Sequence, residues 1–218
     1  AYKSTHPTQE TLDEIRLVGE RVVKNCEDHP VPVPDSAPLK VNAELWGYYH
    51  GFQTRQLSEG YALQGFYYLR MAAKAGVIQA DSNEAVTNGV KALELYSKAG
   101  NTLPKDDEMA TCEPHHFVPA DLLNDGRHSS QGYYFIAIQA AWLTSIPVKG
   151  TLRIAKGIIV SYEKSREIWK RSNLGASGTL QRHYETVKSY IEQAERILVE
   201  QGEDSVAVPS GMGWKDCL

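Results

Sequence analysis

The chain has 218 residues, 42% of them hydrophobic and 9% aromatic, with twelve tyrosines and a formal net charge of -4. That length suits one large domain or two small ones, and no shift of composition divides it. The weak acidity excludes recruitment of nucleic acid or an anionic membrane by bulk charge, and three scattered cysteines, Cys26, Cys112 and Cys217, exclude a disulfide framework or a cysteine-spaced metal site.

The chain begins AYKSTHPTQE, without a basic and apolar leader, so no signal peptide is expected and a reducing, cytoplasmic setting is. Residues 9–25 place Leu12, Ile15, Gly19 and Val22 three and four apart, behind Thr8 or Thr11 as the cap, which predicts the first helix. Residues 29–38, HPVPVPDSAP, follow as a rigid strap, because proline removes backbone donors and forces extended geometry.

Residues 39–57 read as a second helix with Leu45, Tyr48 or Tyr49, and Phe52 on one side and Trp46 nearby. A third run, 58–75, carries two apolar stripes: Tyr61, Gly65, Tyr68 and Ala72, then Ala62, Phe66, Leu69 and Ala73. Two stripes predict a helix contacted from two sides. Gly47, Gly51, Gly60 and Gly65 each cost a helix about 1 kcal/mol relative to alanine, so their recurrence predicts close approach of a neighbouring backbone or a ligand.

Residues 76–83 form a loop in which Ser82 or Asn83 caps a helix over 84–99. The spacing Ala92, Tyr96, Ala99, Pro104 reproduces the second-helix half of the tetratricopeptide pattern, with tyrosine for phenylalanine. Its first-helix half is absent at the required offset and no fixed period repeats, so the spacing indicates paired antiparallel helices more than a repeat array. Residues 100–129 are the least regular part of the chain, holding Pro104, Pro114 and Pro119, an acidic cluster, and His115, His116 and His128. Loops of this length in a compact domain are commonly functional or disordered.

Residues 132–146, GYYFIAIQAAWLTSI, carry no charge and are apolar on every face. A membrane-spanning helix needs about 20 predominantly apolar residues, and this stretch falls short, so a buried central helix is expected. After Pro147 a long helix to about residue 172 has the seam Leu152, Ala155, Ile159, Tyr162 and Trp169, closed by NLG at 173–175. The last helix, about 177–201, shows the cleanest seam: Leu180, Tyr184, Val187, Ile191, Ala194 and Leu198, ended by Gly202. The tail, 202–218, is expected to be extended and pinned by Trp214. No alternation of β type exceeds three or four residues. The expected architecture is all-α: one domain over 1–218, an antiparallel helical bundle or tetratricopeptide-like array of about seven helices around the central one.

Two segments, KALELYSKAGNTLPKDDEM and TLRIAKGIIVSYEKSREIWKRS, resemble uncharacterised tetratricopeptide-like helical proteins of mushroom-forming fungi, over about residues 84–173. In the first a helix closes on a proline-acid turn, and in the second a later helix closes on Ile-Trp. The resemblance implies a cytosolic helical protein and transfers no catalytic residues.

Three places invite chemistry. Glu113, His115 and His116 combine a carboxylate with two imidazoles, the ingredients of a metal site or an acid-base pair. The Glu-x-x-His signature of di-iron proteins needs a helix and a second copy, whereas Pro114 opposes a helix and no second copy exists, so no metal is expected. Cys112 with His115 or His116 has the residue types of a nucleophile and base, without a third group to orient them. The aromatic set Trp46, Tyr48, Tyr49, His50, Tyr67, Tyr68, Tyr133, Tyr134 and Trp142 is the richest, because buried tyrosines need hydroxyl partners and so edge a polar-rimmed cavity. For any single tyrosine, core packing is the plainer account.

The sequence therefore indicates a non-enzymatic helical protein that holds a small, aromatic ligand, a pigment or other chromophore among the candidates. Its expected contacts are Trp46, Tyr49, His50, Tyr67, Tyr68, His115, His116, Tyr133, Tyr134 and Trp142. A protein-binding tetratricopeptide-like scaffold is the first alternative, and an enzyme built on the loop of Cys112 to His116 the second. Self-association is a candidate, while nucleic acid and membrane partners are not expected.

Overall fold

The computed structural model describes residues 7–31, 40–78, 83–103, 132–133, 135–136, 148–171, 178–200 and 202, with backbone alone at some helical positions, 40–50 among them. Five helices occur among them: α1 Gln9–Asp28, α2 Lys40–Ile78, α3 Asn83–Thr102, α4 Val148–Arg171 and α5 Gly178–Glu200. No strand occurs among the described residues. The fold class is all-α.

Thr8, not Thr11, caps α1: its backbone is extended and its hydroxyl accepts from the Thr11 amide at 3.2 Å. This satisfies one of the amides that a helix start leaves without a partner. The buried seam runs Leu12, Ile15, Gly19, Val23 and Cys26, so Val23 takes the place expected of Val22. At the far end of the chain, Gly202 adopts φ +71° and its amide donates to the Val199 carbonyl at 3.0 Å, the left-handed glycine stop that closes α5.

The two helices expected over 39–57 and 58–75 are one, α2, of 39 residues, and it continues through 76–78 where a loop was expected. Gly51 and Gly60 lie inside it. Glycine weakens an isolated helix, but contacts along both sides of α2 outweigh a propensity cost of about 1 kcal/mol each. This merger is one reason the count of about seven helices becomes five among the described residues.

The extensive contacts run α1 with α2, α2 with α3, and α4 with α5. All three pairs are antiparallel. Along the first, Cys26 lies by Gln53, Gly19 by Gly60, Arg16 by Tyr67 and Gln9 by Lys74. Along the second, Ser58 meets Ala99 and Gly65 meets Tyr96. α2 is thus contacted from two sides, as its two stripes predict, but the side facing α1 is carried by Gly60, Leu63, Gln64 and Tyr67, not by the stripe Ala62, Phe66, Leu69 and Ala73. Ala62 and Leu69 instead pack on a cluster of Tyr96, Ala99, Leu103 and Tyr133.

Two of the glycines show what their recurrence is for. A Cβ on Gly19 would come within 2.7 Å of the Gly60 carbonyl oxygen, so α1 and α2 cross backbone to backbone. On another face, a Cβ on Gly65 would lie 3.1 Å from the Tyr96 ring. α3 meets α2 through Ala92, Tyr96 and Ala99, all buried, in the spacing that predicted a close helix pair; Pro104 lies outside the described residues.

In the second group, Leu152, Ala155 and Tyr162 of α4 and Leu180, Tyr184, Val187, Ile191, Ala194 and Leu198 of α5 are all buried, and Tyr162 stacks on Tyr184. Lys156 pairs with Glu195 at one level, and Tyr162 donates to Gln181 at another. Ile159 is half-buried, and the Trp169 side chain lies outside what is described. Most of the expected central helix, 132–146, also lies outside the described residues. Its described members are helical, with Gly132, Tyr133 and Phe135 buried and Ile136 half-buried.

Candidate functional site

Tyr67 and Tyr68 sit side by side on α2 with ring centroids 5.1 Å apart, edge to face. One residue of helix turns a side chain by about 100°, and the two rings accordingly meet different partners. Tyr67 faces α1, where the Arg16 guanidinium lies 5.4 Å from its centroid. Arg16 is itself held by Glu20 at 2.5 Å. Burial, with the Asp13 carboxylate, pushes the Tyr67 hydroxyl above its ordinary pKa.

Tyr68 faces the other way. With Val86, Thr87, Asn88, Val90, Lys91 and Glu94 of α3 it lines an open groove of about 550 Å³. Val86 and Val90 stand one turn apart, off the buried stripe of α3, and supply an apolar wall. Lys91 and Glu94 pair at 3.3 Å along its edge. The groove therefore offers one aromatic face, an aliphatic wall and a rim with both signs of charge.

The interior rings are engaged with each other. Tyr96 and Tyr133 stack at 6.5 Å with 24° between planes. Tyr162 and Tyr184 stack at 4.7 Å, and Phe135 meets both edge-on at 5.6 and 6.5 Å. The hydroxyls donate to polar partners on the opposite helix: Tyr162 to Gln181 at 3.0 Å, and Tyr184 to Glu163 at 2.7 Å. Tyr61 donates to Glu27 of α1 at 3.0 Å while Lys98 of α3 lies 5.7 Å over its ring, tying three helices at one residue.

These environments favour the neutral forms. Burial, with the Glu163 carboxylate, pushes Tyr184 up to about 12. Burial and Glu27 push up Tyr61 and the Cys26 thiol, and burial lowers the pKa of His183. A thiol held protonated is a poor nucleophile, so Cys26 has the character of a core residue. Among the described residues no group of three or more His, Cys, Asp or Glu is placed to hold a metal, and no helix is long and apolar enough to cross a membrane.

Of the ten expected ligand contacts, Tyr68 lines the groove, Tyr67 braces it from the α1 side, and Tyr133 belongs to the packed Tyr96 cluster. The backbones of Trp46, Tyr49 and His50 lie in α2, with their side chains outside what is described. His115, His116, Tyr134 and Trp142 lie outside the described residues, as do Cys112 and Glu113. Sequence reasoning missed Val86, Val90, Lys91 and Glu94. The available signal was Val86 and Val90 at helical spacing beside the small-residue stripe of α3.

No family model, curated protein or solved structure matches the chain.

Proposed function

We propose that this is a non-enzymatic α-helical binding protein whose ligand is a small aromatic molecule, stacked on Tyr68 in the groove between α2 and α3. The observation that carries it is the groove itself, whose volume of about 550 Å³ falls among those of small-molecule sites, roughly 300–1,000 Å³. Tyr67 holds the Tyr68 ring edge-on, so a stacking platform exists before any ligand arrives and little ordering cost attends binding. Thr87, Asn88, Lys91 and Glu94 supply hydrogen-bonding groups to orient a substituent. A pigment fits this description.

The test is a fluorescence titration with an anilinonaphthalene dye, comparing the unaltered protein with Tyr68→Ala and Val90→Asp. Saturable binding weakened at least tenfold by either substitution is the expected result. Equal binding by all three proteins, or none by any, removes the site. An absorption spectrum and native mass of protein from its source then show whether a chromophore travels with it.

A second reading is favoured by the openness of the same groove. Small-molecule sites commonly enclose most of their ligand, whereas a groove along one side of a helix also suits a strip of another protein. Under that reading the dye binds weakly, and a crosslinker at Thr87 captures a protein from source lysate that the chain carrying both that crosslinker and Val90→Asp does not.

A further inference from the structure

Residues three apart in a helix share a face, and residues two apart point in nearly opposite directions. Tyr133, Phe135 and Ile136 follow this rule across two different neighbours. Tyr133 and Ile136, three apart, both pack on the cluster of Tyr96, Ala99 and Leu103, which α2 completes with Tyr61, Ala62 and Leu69. Phe135, two residues from Tyr133, has no exposed surface and inserts its ring against Tyr162 of α4 and Tyr184 of α5.

We propose that Tyr133, Phe135 and Ile136 form a two-faced wedge that couples the three-helix layer α1–α3 to the α4–α5 pair, making them one cooperative unit. A pair of helices alone has one buried seam and leaves little apolar area covered. The aromatic end of the α4–α5 seam, Tyr162 and Tyr184, is completed by Phe135. The opposite side of the same turn is anchored in the layer through Tyr133. Loss of order in either group then removes a wall from the wedge and is felt by the other, a concrete route by which distant parts of a helical protein share stability.

The test uses hydrogen exchange of the full chain, read by mass spectrometry on the slowest amides of α3 and α5 in low denaturant. Val187→Ala, in the α5 seam and remote from the groove, supplies the perturbation. In the otherwise unaltered protein it should lower protection in α3 and α5 by the same factor, of tenfold or more. In a Phe135→Ala background the added drop should be confined to α5, with α3 changing by less than twofold. Phe135→Leu keeps an apolar contact and restores transmission in part, and it serves in place of Phe135→Ala should that chain fail to fold. The proposal is overturned if Val187→Ala leaves α3 unmoved at the outset, or if the drop in α3 persists in full once Phe135 is replaced.

Discussion

The α1–α2 and α4–α5 pairs are both antiparallel helix crossings, built in opposite ways. At α1–α2 the contact is made by subtraction: Gly19 and Gly60 remove side chains so that backbones touch. At α4–α5 it is made by filling: the stacked rings of Tyr162 and Tyr184, capped by Phe135, occupy the space between helices. Close packing to a similar density can be reached from either side. The two crossings should therefore fail under opposite changes, one when volume is added and the other when it is removed.

The largest effect is expected from emptying the aromatic crossing. Tyr162→Ala removes a fully buried ring and should cost about 3–5 kcal/mol, read from urea unfolding followed by circular dichroism. Val160→Ala, two residues away but more than half exposed, should stay within about 0.5 kcal/mol. A Tyr162 variant no less stable than the Val160 control would mean the stacked rings contribute no packing.

Adding volume to the other crossing comes next. Gly19→Ala drives a methyl into the Gly60 carbonyl, which is backbone and cannot rotate away, and should cost about 1–3 kcal/mol. Gly178→Ala meets no atom within 4 Å and should change stability by less than about 0.5 kcal/mol. Equal effects of the two would dismiss the backbone contact.

A smaller cost belongs to the polar link in the glycine-built group. Ser58 is 1% exposed and donates to the Ala99 carbonyl at 2.8 Å. Ser58→Ala fits the same space and forfeits that bond, so about 1 kcal/mol should be lost.

The smallest expected change at neutral pH is Tyr184→Phe, because its partner Glu163 is exposed and water replaces the lost hydroxyl. Its signature is a pH profile. The folded Tyr184 hydroxyl titrates at about 12 against an ordinary 10, so the folded state favours the protonated form. That contribution is whole below pH 10 and is lost as pH rises from 10 through 12. Unfolding midpoints over that interval should fall more steeply for the unaltered protein than for Tyr184→Phe, and parallel profiles would refute the assignment.

The legible parts of the chain were those where one helix face decides the outcome. All six residues of the α5 seam, the glycine stop at 202, and the helical spacing of Ala92, Tyr96 and Ala99 are readable because helical periodicity and capping are local. The candidate site was legible only at its tyrosine. Tyr68 was named for its aromatic neighbours, whereas Val86 and Val90 look like ordinary helix residues until α2 brings Tyr68 beside them. The break expected near residue 58 failed for a related reason: the glycines of this stretch each weaken a helix, but Gly60 is needed for α1, and Ser58 beside it bonds to α3.

By itself the sequence determined the helical class, the course of α1, α3, α4 and α5 to within a few residues, and the need for α2 to be covered on two sides. Those properties follow from the period of apolar side chains, which is a property of each segment alone. Only the tertiary structure decided that α2 is a single helix, that Gly19 meets Gly60, that Tyr67 turns to α1 while Tyr68 opens onto α3, and that Tyr133 and Phe135 divide between two helix groups. The physical reason is that each depends on which side chains from distant parts of the chain share a contact, and packing energy is realised only when both partners are present.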